Sequence, residues 1–141
     1  MCDIPVYTGD GGGMEVAGMT KGEALQQFFS SFGLTTYAAA SVPADTVFPY
    51  LTYDLVTGNW GDTEVSITVN LWYHTDSEAV PNAKADEIAD AIGIGGKVLL
   101  CDGGGIWIKR GSPWCQSLAD ETDKSIKRRY INVSAEFLTT N

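Results

Sequence analysis

The strictest alternation of apolar and polar residues in this chain runs from Glu64 to Tyr73. Val65, Ile67, Val69, Leu71 and Tyr73 alternate with Glu64, Ser66, Thr68, Asn70 and Trp72. That period of two predicts a half-buried strand, and a long one for a globular sheet. Ile126 to Leu138 alternates in the same way, with Ile131, Val133, Ala135 and Phe137 on one face and Tyr130, Asn132, Ser134 and Glu136 on the other. Phe48 to Val56 reads as a further strand, with Pro49 at its start or on an edge because it has no amide to donate. Val98–Cys101 and Ile106–Lys109 flank Asp102-Gly103-Gly104-Gly105, the pattern of a hairpin with a glycine turn. Trp114 to Leu118 reads as a short strand, and Ala119 to Lys124 as a charged turn.

Two segments carry the helical period instead. Leu25, Phe28, Phe29 and Phe32 fall at i, i+3, i+4 and i+7 behind Thr20-Lys21-Gly22-Glu23, which has capping-box spacing. Gly33 suits the left-handed residue past the end. From about Ser77 to Ile92, the residues Ala85, Ile88, Ala89 and Ile92 form one apolar face, with Ser77 as cap and Pro81 in or near the first turn. The order is helix, two strands, helix, hairpin, closing strand. Short links favour antiparallel pairing, so the expectation is an α+β two-layer sandwich: a mainly antiparallel sheet of four to five strands with two helices on one face. Residues 20–141 form a single domain. Residues 1–19, centred on Gly9-Asp10-Gly11-Gly12-Gly13, gain little from burial and read as a flexible arm, or as one that orders against a neighbouring subunit.

Charge sharpens this picture. Met1 to Gly96 holds 13 Asp/Glu against 2 Lys/Arg, whereas Lys97 onward holds 7 Lys/Arg against 5 Asp/Glu. Four of those bases, Lys124, Lys127, Arg128 and Arg129, crowd the start of the closing strand. An acidic body with one basic corner suits oriented contact with a second copy or a fixed partner. The net charge of −9 argues against a conventional nucleic-acid binder. Cys2, Cys101 and Cys115 lack C-x-x-C spacing, so neither a disulfide framework nor a zinc site is expected, and a reducing cytoplasm fits. No apolar run reaches the ~18 residues of a membrane span, and no basic-then-apolar leader opens the chain.

Candidate chemistry is sparse. The glycine runs at Gly11–Gly13 and Gly103–Gly105 are not followed by Lys-Ser/Thr and do not join a strand to a helix, so they do not read as phosphate loops. His74, the single histidine, has Asp76 and Glu78 close behind it but no further metal ligand nearby. Asp86, Glu87 and Asp90 form a polar helix face, solvated or between subunits. Cys101 and Cys115 sit among apolar residues and read as small hydrophobes. Trp60, between turn residues, either folds back onto the core or docks into a neighbour. Trp72 and Tyr130 point away from the predicted core and ask for a covering partner. Lys124, Lys127, Arg128 and Arg129 read as a subunit contact rather than a nucleic-acid patch.

In the order and spacing of these segments the chain resembles the tail terminator (tail completion, or minor tail) proteins of long-tailed bacteriophages. The resemblance runs from about Thr20 to Leu138. It rests on the helix Glu23 to Phe32, on Phe48-Pro49-Tyr50-Leu51-Thr52-Tyr53, and on the strand ending Leu71-Trp72-Tyr73-His74. The helix Ala83 to Ile92 and the closing Arg128-Arg129-Tyr130-Ile131-Asn132-Val133-Ser134-Ala135-Glu136-Phe137 complete it. The Gly-rich N-terminus departs from the compact start of that family. The resemblance implies a virion protein of the tail or neck, assembled in the host cytoplasm, with no catalytic residues, cofactor or metal. It implies a homo-oligomer, a hexameric ring, that caps the tail tube, ends its polymerisation and offers a surface to the head–tail connector protein. DNA would pass through the ring without sequence-specific binding. The candidate interface residues are Trp60, Trp72, Asp86, Asp90, Lys124, Lys127, Arg128, Arg129 and Tyr130. The alternatives are another head–tail connector or stopper protein, or a small ligand-binding or enzymatic domain around His74, Asp76 and Trp60.

Overall fold

The computed structural model describes residues 18–141. The expected arm, apart from Gly18 and Met19, lies outside the described residues, as do Cys2 and the Gly11–Gly13 run. Thr20 starts helix α1 (Lys21–Ser30) with both halves of a capping box: its Oγ1 accepts from the Glu23 amide at 3.0 Å, and Glu23 Oε1 accepts from the Thr20 amide at 2.9 Å. The helix buries Ala24, Leu25, Phe28 and Phe29. Strands β1 (Thr35–Ala38) and β2 (Tyr50–Tyr53) follow, separated by a 3-10 turn at Ala39–Ser41 and a loop. Strand β3 (Val65–His74) leads into helix α2 (Ala79–Ile92), then β4 (Lys97–Cys101), β5 (Gly104–Ala119) and β6 (Ile126–Thr139).

The expectation of a two-layer sandwich on a mainly antiparallel sheet of four to five strands is overturned. The sheet has six strands in the order β1-β2-β3-β6-β5-β4, is mixed, and curls into a half-barrel. Three physical reasons account for the difference. First, β1 is four residues long, Thr-Thr-Tyr-Ala, too short for an alternation to stand out, and it pairs in parallel with β2. Second, the segment Trp114 to Leu118 is no separate strand. It continues β5 through a bulge between Arg110 and Cys115, and Pro113, with no amide to donate, falls in that bulge. Third, the sheet is not flat. Six strands at ~4.8 Å spacing span about 24 Å when flat, yet the ten-residue α1 touches both edge strands, β1 and β4. A sheet meets one helix at both edges only by wrapping round it.

Both helices lie in the concave side. Their apolar faces meet Leu51, Ile67, Val69, Leu71, Leu99, Ile106, Ile108, Ile131, Val133 and Phe137 in one continuous core. Polar ties fix the helices to the strands: Tyr53 Oη donates to Gln26 Oε1 at 2.7 Å, and Gln26 Nε2 donates to the Thr36 carbonyl at 3.0 Å. Lys84 Nζ reaches from α2 to the Phe32 carbonyl at 2.7 Å. The Gly103–Gly105 run makes the hairpin turn. Gly104 has φ +148°, and a Cβ there would lie 2.0 Å from the Leu138 carbonyl oxygen, so only glycine lets β5 approach β6 at this point.

Candidate interaction surface

A curled sheet whose concave side is filled leaves a convex side. Strand periodicity decides what it carries: residues two apart share a face. In β3 the buried set is Ile67, Val69, Leu71 and Tyr73, so Thr68, Asn70, Trp72 and His74 face out. In β6 the buried set runs from Arg129 through Ile131, Val133, Ala135 and Phe137 to Thr139, so Arg128, Tyr130, Asn132 and Ser134 face out.

Register then lines up one transverse row. Tyr50 on β2 stands opposite Trp72 on β3, Trp72 opposite Arg128 on β6, and Arg128 opposite Leu118 on β5. The Tyr50 and Trp72 rings stack, centroids 5.9 Å apart and 12° from parallel. Arg128 Cζ sits 5.2 Å from the Trp72 ring centroid and 6.0 Å from that of Tyr130. Tyr37 and Phe48 extend the row, edge-on and tilted against Tyr50 at 6.2 and 5.5 Å. Trp72 Nε1 donates to Thr52 Oγ1 at 3.1 Å, which fixes the indole in place. Burial, with Tyr37 as the lesser cause, pushes the Tyr50 hydroxyl up from its ordinary value.

Beside the row lies a notch of about 220 Å³ lined by Trp72, Leu118, Ala119, Asp120, Ile126 and Arg128. Arg128 makes no ion pair among the described residues, and its Nε is buried without a hydrogen-bond partner. A buried donor left unpaired costs about 1–3 kcal/mol. The carboxylate in the lining, Asp120, has its Oδ1 taken by Thr122 and the Asp123 amide, which hold its pKa below the ordinary value.

The basic corner is therefore not one patch. Arg128 faces out, while Lys127 and Arg129 point to the concave side and grip the start of α2. The Arg129 side chain is 1% exposed; its Nη2 donates to Glu78 Oε1 at 2.6 Å and its Nε to Asn82 Oδ1 at 2.9 Å. Lys127 Nζ lies 3.6 Å from Glu78 Oε2. The Arg129 hydrogen bond, ahead of Lys127, holds the Glu78 carboxyl below the usual glutamate value. This carboxylate also sits where the α2 dipole favours negative charge. Lys124 is exposed on the β5–β6 turn, where its carbonyl accepts from Lys127 Nζ at 2.7 Å.

Of the remaining sequence-derived residues, Trp72, Arg128 and Tyr130 come together in the row. Trp60 does not join them. It is 68% exposed, with its amide donating to the Thr139 carbonyl at 2.8 Å. Thr139 is at the far end of β6, about 35 Å of strand from Arg128. Asp86 and Asp90 are exposed on α2, one turn apart, and neither has an ion-pair partner among the described residues, whereas Glu87 pairs with Lys84 at 2.9 Å.

The histidine site has a local role. Ser125 Oγ donates to Asp123 Oδ1 at 2.6 Å and lies 3.0 Å from His74 Nε2, which is 3.5 Å from Asp123 Oδ2. The Ser125 hydroxyl and amide are the main causes holding Asp123 below its ordinary pKa, with His74 secondary. These contacts tie the β5–β6 turn to the exit of β3. Among the described residues no three His, Cys, Asp or Glu side chains converge on a metal position. Burial pushes the Cys115 thiol up from its ordinary value, against a lesser opposing pull from Arg129. Sequence reasoning passed over Tyr37, Phe48, Tyr50 and Leu118 as members of the row. Tyr50 was legible by parity, since buried Leu51 is its neighbour, but that Tyr50 abuts Trp72 is set by strand pairing. Scans of this chain against protein-family models, curated proteins and solved structures give no match.

Proposed function

We propose that this chain is a structural subunit that acts by contact, a tail-terminator-like virion protein. Copies close into a ring, six in number, that caps the tail tube, ends its polymerisation and offers a surface to the head–tail connector. DNA passes through the centre without sequence-specific binding. The observation that supports this reading best is the transverse row Tyr50–Trp72–Arg128 on the convex face. Aromatic residues and arginine are enriched in the buried centres of protein interfaces, and here they stand on a sheet face that no element of the described chain covers. The net charge of −9 supports passage of DNA, because a ring that gripped phosphate would retain it.

The experiment is tube growth in the presence of the purified protein, followed by electron microscopy. Tail-tube subunits should stop elongating once the protein is added, each tube ending in a ring. Continued elongation, with the protein recovered as free monomer, would remove the proposal.

A further inference from the structure

The convex row is one of two surfaces that face opposite ways. The other is the solvent side of α2. Its buried residues, Ala85, Ile88, Ala89 and Ile92, turn toward the sheet, so Asp90 turns outward and Asp86 sits exposed on the flank of that side, within electrostatic reach of the Cys115 thiol on β5. The two aspartates lie at i and i+4, where like charges repel each other weakly and a helix gains from an external cation. Ala83, before them, and Ala91, after them, are exposed, and such short side chains let a surface come close; Glu87, on the same ridge between the two alanines, is neutralised by Lys84 at 2.9 Å. The two surfaces complement each other in charge: among the described residues one holds two carboxylates that no cation pairs, and the other a guanidinium that makes no ion pair, its Nε buried and unpartnered beside a notch of about 220 Å³ whose own carboxylate, Asp120, is engaged through Oδ1 by Thr122 and the Asp123 amide.

Resting on the assembly reading above, we infer that the occupant of the convex row is a second copy of this chain, presenting the Asp86–Asp90 side of α2. The carboxylates meet Arg128 at the notch, and the alanine side of the helix lies over the Trp72 and Tyr50 rings. The contact is heterologous, since different surfaces of the two copies meet. Each copy thus keeps one row and one helix face free for the next, and the chain of contacts either closes into a ring or continues as a filament. The row supplies apolar area and the ion pairs set the orientation in which copies meet.

A charge exchange tests this. One variant carries Arg128→Glu, the other Asp86→Lys with Asp90→Lys, and the full-length proteins are followed by sedimentation velocity and native mass spectrometry. All three substituted positions are outside the core, and each variant is checked by its circular dichroism and melt. If either charge reversal prevents folding, Arg128→Gln and the double Asp→Asn change give the same loss without the rescue. Each variant alone should associate at least roughly thirtyfold more weakly than the wild type. An equimolar mixture should reassemble. The carboxylate introduced on β6 of one variant then meets the two ammonium groups introduced on α2 of the other, while the untouched pair forms at the alternate contact.

Variants that assemble like the wild type overturn the inference but leave the ring reading standing. Loss in both variants without rescue on mixing overturns the pairing of these two surfaces. A rescued species that stops at two chains overturns the head-to-tail arrangement. A wild-type protein that stays monomeric, alone and on tubes, defeats the assembly reading itself and this inference with it.

Discussion

Neighbouring arginines 128 and 129 should behave as opposites when each is replaced by methionine. Arg129→Met keeps most of the buried stem but removes the guanidinium that donates to Glu78 at 2.6 Å and to Asn82 at 2.9 Å. A hydrogen bond to a charged group contributes about 1.5–3 kcal/mol net. The Glu78 side chain is 62% exposed, so solvent screens its share, and the loss of the buried guanidinium comes to about 2–3 kcal/mol. Arg129→Ala removes two further buried methylenes at ~0.8 kcal/mol each, for about 4 kcal/mol. For a chain of 141 residues, 1 kcal/mol moves Tm by about 3 °C. Arg129→Met should therefore lower Tm by about 6–9 °C and Arg129→Ala by about 12 °C. Arg128→Met gives up the cation–π contacts with Trp72 and Tyr130, about 0.5–1 kcal/mol each, but also removes a buried donor that no described residue pairs, so its Tm should stay within about 3 °C. The assay is thermal unfolding followed by circular dichroism at two protein concentrations, which separates folding from association. An Arg128→Met protein less stable than Arg129→Met would refute the assignment of the two side chains to opposite faces.

Further outcomes follow from the same geometry. The Glu78 carboxyl has a folded-state pKa below its unfolded one, so its contribution is present above about pH 4.3 and is lost as pH falls through the folded value. Tm measured between about pH 5 and pH 2 should consequently fall less steeply in Arg129→Met than in wild type, and parallel curves would contradict the ion pair. Gly104→Ala places a Cβ 2.0 Å from the Leu138 carbonyl at φ +148°, and should cost about 2–4 kcal/mol in urea unfolding; a midpoint unchanged from wild type would refute the close approach. Phe29→Ala empties a fully buried site and should cost about 3–5 kcal/mol, read in the same assay, with a loss below ~1 kcal/mol counting against the core as described. Trp60→Ala should leave unfolding within about 0.5 kcal/mol of wild type, because the ring is 68% exposed; a loss above ~1.5 kcal/mol would mean that it packs on the core.

What could be read from the chain was whatever depends on neighbours in sequence. The capping box at Thr20 and Glu23, the alternation through β3 and β6, and the glycine turn at Gly103 and Gly104 are local devices, and each is where its spacing puts it. Arg129 is instructive. Its proximity to Lys127 and Arg128 suggests a single patch, yet it shares parity with Ile131 and Val133, and parity wins because a strand sends alternate residues to opposite faces. The rest depends on pairing between distant segments. Alternation states which face a residue takes but not which strand lies beside it, so the β2-β3-β6-β5 order that aligns Tyr50, Trp72, Arg128 and Leu118 was not legible. Nor was the curl of the sheet, which brings β1 and β4 together onto α1. Strand β1 escaped because four residues carry too little pattern, and the unity of β5 escaped because the bulge resets its alternation.

The central claim is that the aromatic–arginine row, which no described element covers, meets sister subunits. Native mass spectrometry of the full-length protein tests it most directly. The expected spectrum holds one closed species near 91 kDa, six chains of 15.1 kDa, that gives way to single chains when Arg128 is changed to Glu. A wild-type spectrum holding only the 15.1 kDa chain at every concentration, with tail tubes present as well as absent, would contradict it.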